Sequence, residues 1–226
     1  MNNTNQQLFS IYQNIFSFYK YRNLVPVDEN LSQVEFAKKI QKDKYILLAS
    51  IDKSHKSDIP SIGKYIDDFN EKSSTANISI FYILLIYPGT DAESKRANMM
   101  KFVNHVRYPK ADIMIITAIK LSNSVIKGLN ALSHTKEHKH HNFKSYTYNL
   151  LTSIVPEFEL TPKYTILSDD EVSKIPIDID SLPKIFENDP PMIWIGAKVG
   201  QIICFKYMSE ITIHAIGYCM VIPAIN

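Results

Sequence analysis

Apolar residues recur three or four apart at Leu8, Ile11, Ile15 and Phe18, the repeat of one helix face. They predict an amphipathic helix that ends near Arg22. Ser32 and Glu35 form an S-x-x-E pattern, in which hydroxyl and carboxylate each satisfy an unpaired backbone N–H. Phe36 and Ile40 then supply the buried face of a second helix. From there the pattern shifts to β-branched and aromatic runs bounded by polar, proline or glycine residues, predicting strands over 45–51, 78–87 and 112–119. Between the last two, Thr90 and Glu93 repeat the cap, and Ala97, Met100, Val103 and Val106 stripe a helix that stops before Tyr108-Pro109. Another helix starts near Ser122 and buries Val125, Leu129 and Leu132, and residues 146–155 predict one more strand. Residues 54–74 and 133–142 are polar excursions.

Pro156 and the acidic Glu-Phe-Glu-Leu after it mark a hinge. Beyond it, Ser168 and Glu171 cap a short helix ended by Pro176, and strands are predicted over 201–207 and 212–222. The predicted class is mixed α+β and α/β. An amino-terminal domain, residues 1–156, has a small mixed sheet with flanking helices, and residues 157–226 form a small carboxy-terminal α+β domain.

At 226 residues, with 45% hydrophobic and 11% aromatic content, the chain can fill one large core or two small ones. The first residues lack the basic region and apolar run of a signal peptide, and the longest apolar stretch is about half a membrane span. The expected setting is therefore intracellular and away from membranes, where Cys204 and Cys219 stay reduced as buried thiols. Overall charge is +2, but it is unevenly placed. After residue 156 there are ten acids against five lysines, a net −5, which leaves twenty basic residues against thirteen acids, +7, before it. A basic part of this kind can lie near phosphates, and an acidic one suits a protein partner.

Candidate chemistry is sparse. His134 and His138 lie one helical turn apart beside His140 and His141, but nothing supplies the further fixed ligands a zinc site needs. Gly196 to Gly200 lacks the Gly-Lys-Ser/Thr of a phosphate loop. Asp169 and Asp170 fall in the first turn of a capped helix, where negative charge favours the helix dipole, and Asp67 with Asp68 is the other acid pair. Aromatic and basic residues mix at Phe18 to Arg22, a stacking surface for nucleic acid or a piece of core. No catalytic residue, metal site or cofactor is assigned. The alternatives to a non-catalytic role are a stand-alone metal-dependent nuclease or hydrolase, or a free nucleic-acid-binding adaptor.

One stretch carries more information. The sole tryptophan, Trp194, sits between Pro190-Pro191 and two glycines, Gly196 and Gly200, with acids upstream and an apolar run downstream. From Leu160 onward the order is a capped helix, Leu-Pro-x-Ile, Asp189-Pro190, an aromatic, Gly196-x-Lys198-x-Gly200-Gln201, and a Ser209-Glu210 turn before the last strand. This order resembles the carboxy-terminal domain of the fifth subunit shared by eukaryotic nuclear RNA polymerases, and its archaeal homologue. The Asp-Pro-Pro with a nearby Trp-x-Gly looks most like the versions carried by large cytoplasmic DNA viruses such as African swine fever virus. More weakly, residues 11–40 resemble the opening helix and capped second helix of the family's jaw domain. Where the eukaryotic family has arginines this chain has Val199, Tyr207, His214 and Cys219, and Met208 replaces a proline.

The resemblance implies a non-catalytic subunit of a multisubunit DNA-directed RNA polymerase. Its carboxy-terminal assembly domain would dock on the largest subunit and neighbour a small shared subunit. Its amino-terminal jaw would face downstream duplex DNA through weak contacts without sequence preference. The docking residues implied are Asp189, Pro190, Trp194, Gly196, Lys198, Gly200, Gln201, Ser209 and Glu210, with Trp194 either a local core residue or an interface anchor. The DNA-proximal lysines, chosen from helix faces, are Lys38, Lys39, Lys95 and Lys101. The implied setting is a viral factory in the host cytoplasm, and the virion, for a viral chain, and otherwise the nucleus.

Overall fold

The computed structural model describes residues 3–28, 30–54, 80–87, 111–133, 141–175, 178–207 and 215–224. They belong to two compact units, Met1–Thr152 and Ser153–Asn226, which divide shortly before the change of charge. Each unit is a small mixed sheet with helices, an α+β arrangement.

In the first unit, helix α1 (Asn3–Tyr21) leads through β1 (Leu24–Pro26) to α2 (Gln33–Asp43), followed by β2 (Tyr45–Asp52), β3 (Ile80–Ile86), β4 (Ala111–Thr117), α3 (Asn123–Ser133) and β5 (His141–Thr147). The sheet order is β1-β2-β3-β4-β5, antiparallel across the first two pairings and parallel across the last two. β3 is central and buried on both sides, so it reads as an unbroken apolar run. Ala49, Ile51, Tyr82, Leu84, Ile86, Ile113, Ile115 and Phe143 form one core face, against which Val125 and Ile126 of α3 pack. On α1 the stripe predicted from the sequence is buried throughout, and Phe18 and Tyr19 meet Phe81 of β3 edge-on or tilted, each with ring centroids 6.3 Å apart. Those aromatics are core and not a stacking surface. Arg22 closes the same cluster, its guanidinium 4.5 Å from the Phe81 ring centre and 5.2 Å from that of Phe18.

α2 begins and ends on local signals. The Ser32 N–H and hydroxyl both donate to Glu35 Oε2, at 2.9 and 2.6 Å, and the Glu35 N–H donates back to Ser32 Oγ at 3.4 Å. Lys44 closes the helix at φ 62°, and its N–H donates to the Ile40 carbonyl. The bonds from Ser32, side chain first and backbone second, hold the Glu35 carboxyl below the usual carboxylate range. A depressed folded-state pKa stabilises above the unfolded value of about 4.3 and stops doing so as pH falls through the folded value. The amides of the first turn of α2 are therefore expected to lose protection from hydrogen exchange on acidification below about pH 4. Glu35→Gln should remove that acid dependence; an acid limb unchanged in the variant would rule the cap out as its source.

Two departures from the predicted elements have a physical cause. The last strand of the first unit is β5 at His141–Thr147, and not residues 146–155, because its parallel pairing with β4 sets Ala111 opposite His141 and Thr117 opposite Thr147. The apolar residues after it are buried instead by a 3₁₀ turn, Tyr148–Leu150, with the Tyr148 hydroxyl donating to the Ile86 carbonyl. In the second unit the sheet includes β6 (Lys163–Ile166) and β7 (Lys184–Phe186), two short strands absent from the sequence expectation. Around them run α4 (Asp169–Val172), α5 (Pro190–Ile195), β8 (Ile202–Tyr207) and β9 (Ala215–Ile222), with sheet order β6-β8-β9-β7. β8 and β9 pair antiparallel, placing Phe205 opposite Gly217. A Cβ built on Gly217 would lie 2.3 Å from Phe205 Cζ, so the ring occupies the space a side chain would take. The core of this unit is Met192, Ala197, Ile203, Cys219 and Val221.

Candidate functional site

Between β7 and β8 the chain is a series of turns, each closed by its own hydrogen bonds. The Asp189 N–H donates to the Phe186 carbonyl at 3.1 Å, and the Phe186 N–H donates to Asp189 Oδ2 at 3.2 Å. Pro190 and Pro191 then open α5, where a missing N–H leaves no helical bond unmade and φ is already set. α5 ends at Gly196, at φ 73° and ψ 27°. The Gly196 N–H donates to the Ile193 carbonyl at 3.2 Å and the Ala197 N–H to the Met192 carbonyl at 3.0 Å, the paired bonds of a Schellman ending.

A second turn follows at once. The Gln201 N–H donates to the Lys198 carbonyl at 3.1 Å, while Gln201 Oε1 accepts from the Lys198 N–H at 2.7 Å. Gly200 holds φ 87° at the third position, as a type II turn requires. Its N–H donates to the Val221 carbonyl, and the Val221 N–H donates to the Gln201 carbonyl, both at 2.9 Å, tying the turn to β9. Lys198, Val199 and Gly200 are exposed on this clamped turn, Val199 at 48%.

The sequence-derived residues therefore separate by role. Asp189, Pro190, Gly196, Gly200 and Gln201 shape the backbone, and Lys198 is the exposed cation. Trp194 is 0% exposed, so of the two roles left open for it the fold gives the core role, and its indole has no free surface to offer a partner. Its helix packs on β6 and on the 3₁₀ turn Val155–Glu157. Ser209 and Glu210 lie outside the described residues. Lys38 and Lys39 are exposed on α2, whereas Lys95 and Lys101 lie outside the described residues, as do Asp67, Asp68, His134, His138 and His140. His141 opens β5 opposite Ala111.

Among the described residues no group of three His, Cys, Asp or Glu could hold a metal. Cys204 and Cys219 are buried free thiols on opposite faces of neighbouring strands, and burial pushes the Cys219 pKa up, away from a reactive thiolate. Asp169 and Asp170 are exposed in the first turn of α4, whose cap is closed by the Ser168 N–H and hydroxyl donating to Glu171 Oε2, each at 2.8 Å. Among the described residues no helix is long and apolar enough to cross a membrane. What the site presents is a rigid, turn-built surface.

The family model described as "RNA polymerase Rpb5, C-terminal domain" matches residues 154–221. A "DNA-directed RNA polymerase subunit Rpo5" of Methanocaldococcus jannaschii is 37% identical over 75 residues, covering 31% of this chain and 96% of that protein. A "DNA-directed RNA polymerase RPB5 homolog" from a South African tick isolate of African swine fever virus is 22% identical over 219 residues, 93% of this chain and 94% of the relative. With the homologue from a Namibian warthog isolate the similarity is 25% over 75 residues, so the match spans 37% of that relative's length.

Proposed function

Because the chain belongs to the Rpb5/Rpo5 family of DNA-directed RNA polymerase subunits, we propose that it is a non-catalytic subunit, assembled through its carboxy-terminal unit and supporting downstream DNA with the amino-terminal one. The observation that carries this reading is the clamped turn segment of residues 186–201. It lies inside the matched stretch, fixes its backbone with main-chain and side-chain hydrogen bonds running from Phe186 to Val221, and leaves Lys198, Val199 and Gly200 exposed. Turns fixed before binding lower the ordering cost of association, which is what an assembly surface needs.

On this reading Asp189, Pro190, Gly196, Lys198, Gly200 and Gln201, with Ser209 and Glu210, form the surface that meets the largest subunit beside a small shared subunit. Trp194 supports that surface from within. The first part of the chain, at +7, lies along duplex DNA, with exposed Lys38 and Lys39 of α2 and with Lys95 and Lys101 supplying attraction that salt screens and that carries no base information. A viral relative aligns with 93% of this chain, which favours a cytoplasmic viral factory as the site of action.

The test is the native mass and composition of what co-purifies with a tagged copy from its source cells. Two very large chains in near-equal stoichiometry are expected. A free species of 26.0 kDa without large partners would overturn the assignment.

A further inference from the structure

The turn that follows the unit boundary exposes two large apolar side chains, one almost completely and one by half. Leu160 is 95% exposed and Phe158 51%. This is an ordered turn: the Glu157 N–H donates to the Ile154 carbonyl at 2.9 Å, the Phe158 N–H to the Val155 carbonyl at 3.3 Å, and the Thr161 N–H to the Phe158 carbonyl at 3.0 Å. Ile154, Val155 and Pro156 are half-buried at its base, so the base is anchored and the tip is presented. One exposed leucine needs no explanation, but an aromatic and a leucine two residues apart on a hydrogen-bonded turn make a preorganised apolar contact.

We propose that Phe158 and Leu160 insert into an apolar pocket with a basic rim on a large polymerase subunit, forming a contact separate from the residue 186–201 surface. The partner chemistry follows from charge. Glu157 precedes Phe158 and Glu159 stands between Phe158 and Leu160, both acids are exposed, and the residues after 156 carry a net −5. A two-fold contact of this turn with its copy in a second chain would bring the same acids against them, and an anionic lipid surface would repel them, whereas a pocket edged by lysine or arginine attracts them. The inference rests on the polymerase reading above for the identity of the partner and goes beyond it in the place and chemistry of the contact.

The experiment uses the tagged full-length chain in its source cells, alongside Phe158→Ser with Leu160→Ser, and separately Glu157→Lys with Glu159→Lys. Because the apolar pair is exposed, the serine variant should keep the wild-type emission of buried Trp194, which reports the folded unit. Recovery of the large chains should fall about tenfold or more for the serine variant, as for loss of interface anchors. The lysine variant should also recover less, and wild-type recovery should drop as salt is raised. A folded serine variant that recovers the large chains within about twofold of wild type would overturn the proposal. Unchanged or better recovery with the lysine variant would overturn the basic rim. A wild-type species of twice 26.0 kDa that dissociates in the serine variant would replace the proposed partner with self-association. If even the wild type recovers no large chain, the polymerase reading itself fails, and the proposed partner with it.

Discussion

Trp194→Ala is expected to destabilise the carboxy-terminal unit by about 3–5 kcal/mol, the usual cost of truncating a large buried aromatic. The indole is 0% exposed and heads the fully buried side chains of the chain by size. Its helix has six residues, Pro190–Ile195, far too few to persist without packing. Loss of the indole therefore removes the largest of the three buried side chains that hold α5 in place, beside Met192 and Ile193, and α5 leads directly into the Gly196 turn. Urea unfolding followed by circular dichroism measures the change, with Trp194→Phe as the milder control. A shift below about 1 kcal/mol would mean that the helix is held by other contacts.

Gly200→Val is expected to cost about 2 kcal/mol and to lower incorporation into the assembled complex, because φ 87° is a conformation that a β-branched residue rarely adopts. No atom lies within 4 Å of a Cβ built there, so the penalty is conformational and not one of crowding. The backbone cannot relax cheaply either, since the Gly200 N–H bonds Val221 and the next residue's carbonyl accepts from Val221 in return. An order of harm Asn, then Ala, then Val at position 200, measured as co-purified large chains, would identify backbone geometry as the cause, as asparagine tolerates this region best. Wild-type incorporation of Gly200→Val would sink the assignment of this turn to docking.

Much of the first unit is legible in the sequence because its signals are long. The α1 stripe from Leu8 to Phe18 runs for about three turns, the Ser32–Glu35 pair is a local cap, and β2, β3 and β4 are largely apolar strands of seven or eight residues. Residues 146–155 mislead because burial there is achieved by a 3₁₀ turn, and a short apolar run has the same composition in a strand or in a turn. In the second unit β7 has three residues and α5 has six, opening with two prolines, so each is too short for its period to repeat detectably. The glycine and proline positions of the candidate site are legible for the opposite reason: each marks a backbone geometry that few other residues tolerate. The Phe158 and Leu160 contact is not legible, since exposure depends on which neighbours fail to cover a residue. In sequence the Glu-Phe-Glu-Leu stretch reads only as a hinge.

The vacancy at Gly217, filled by the Phe205 ring, also acts as a ratchet on alignment. A slip of one residue between β8 and β9 would turn every side chain to the wrong face, but a slip of two would keep the faces correct and is the error a mixed sheet has to guard against. Here such a slip would bring Ala215 or Cys219 opposite Phe205, and either Cβ would occupy the space the ring now fills. A single missing side chain thus favours the native alignment of the two longest described strands in this unit, and with it the spacing from the Gly200 turn to Val221 on which the proposed docking surface is built.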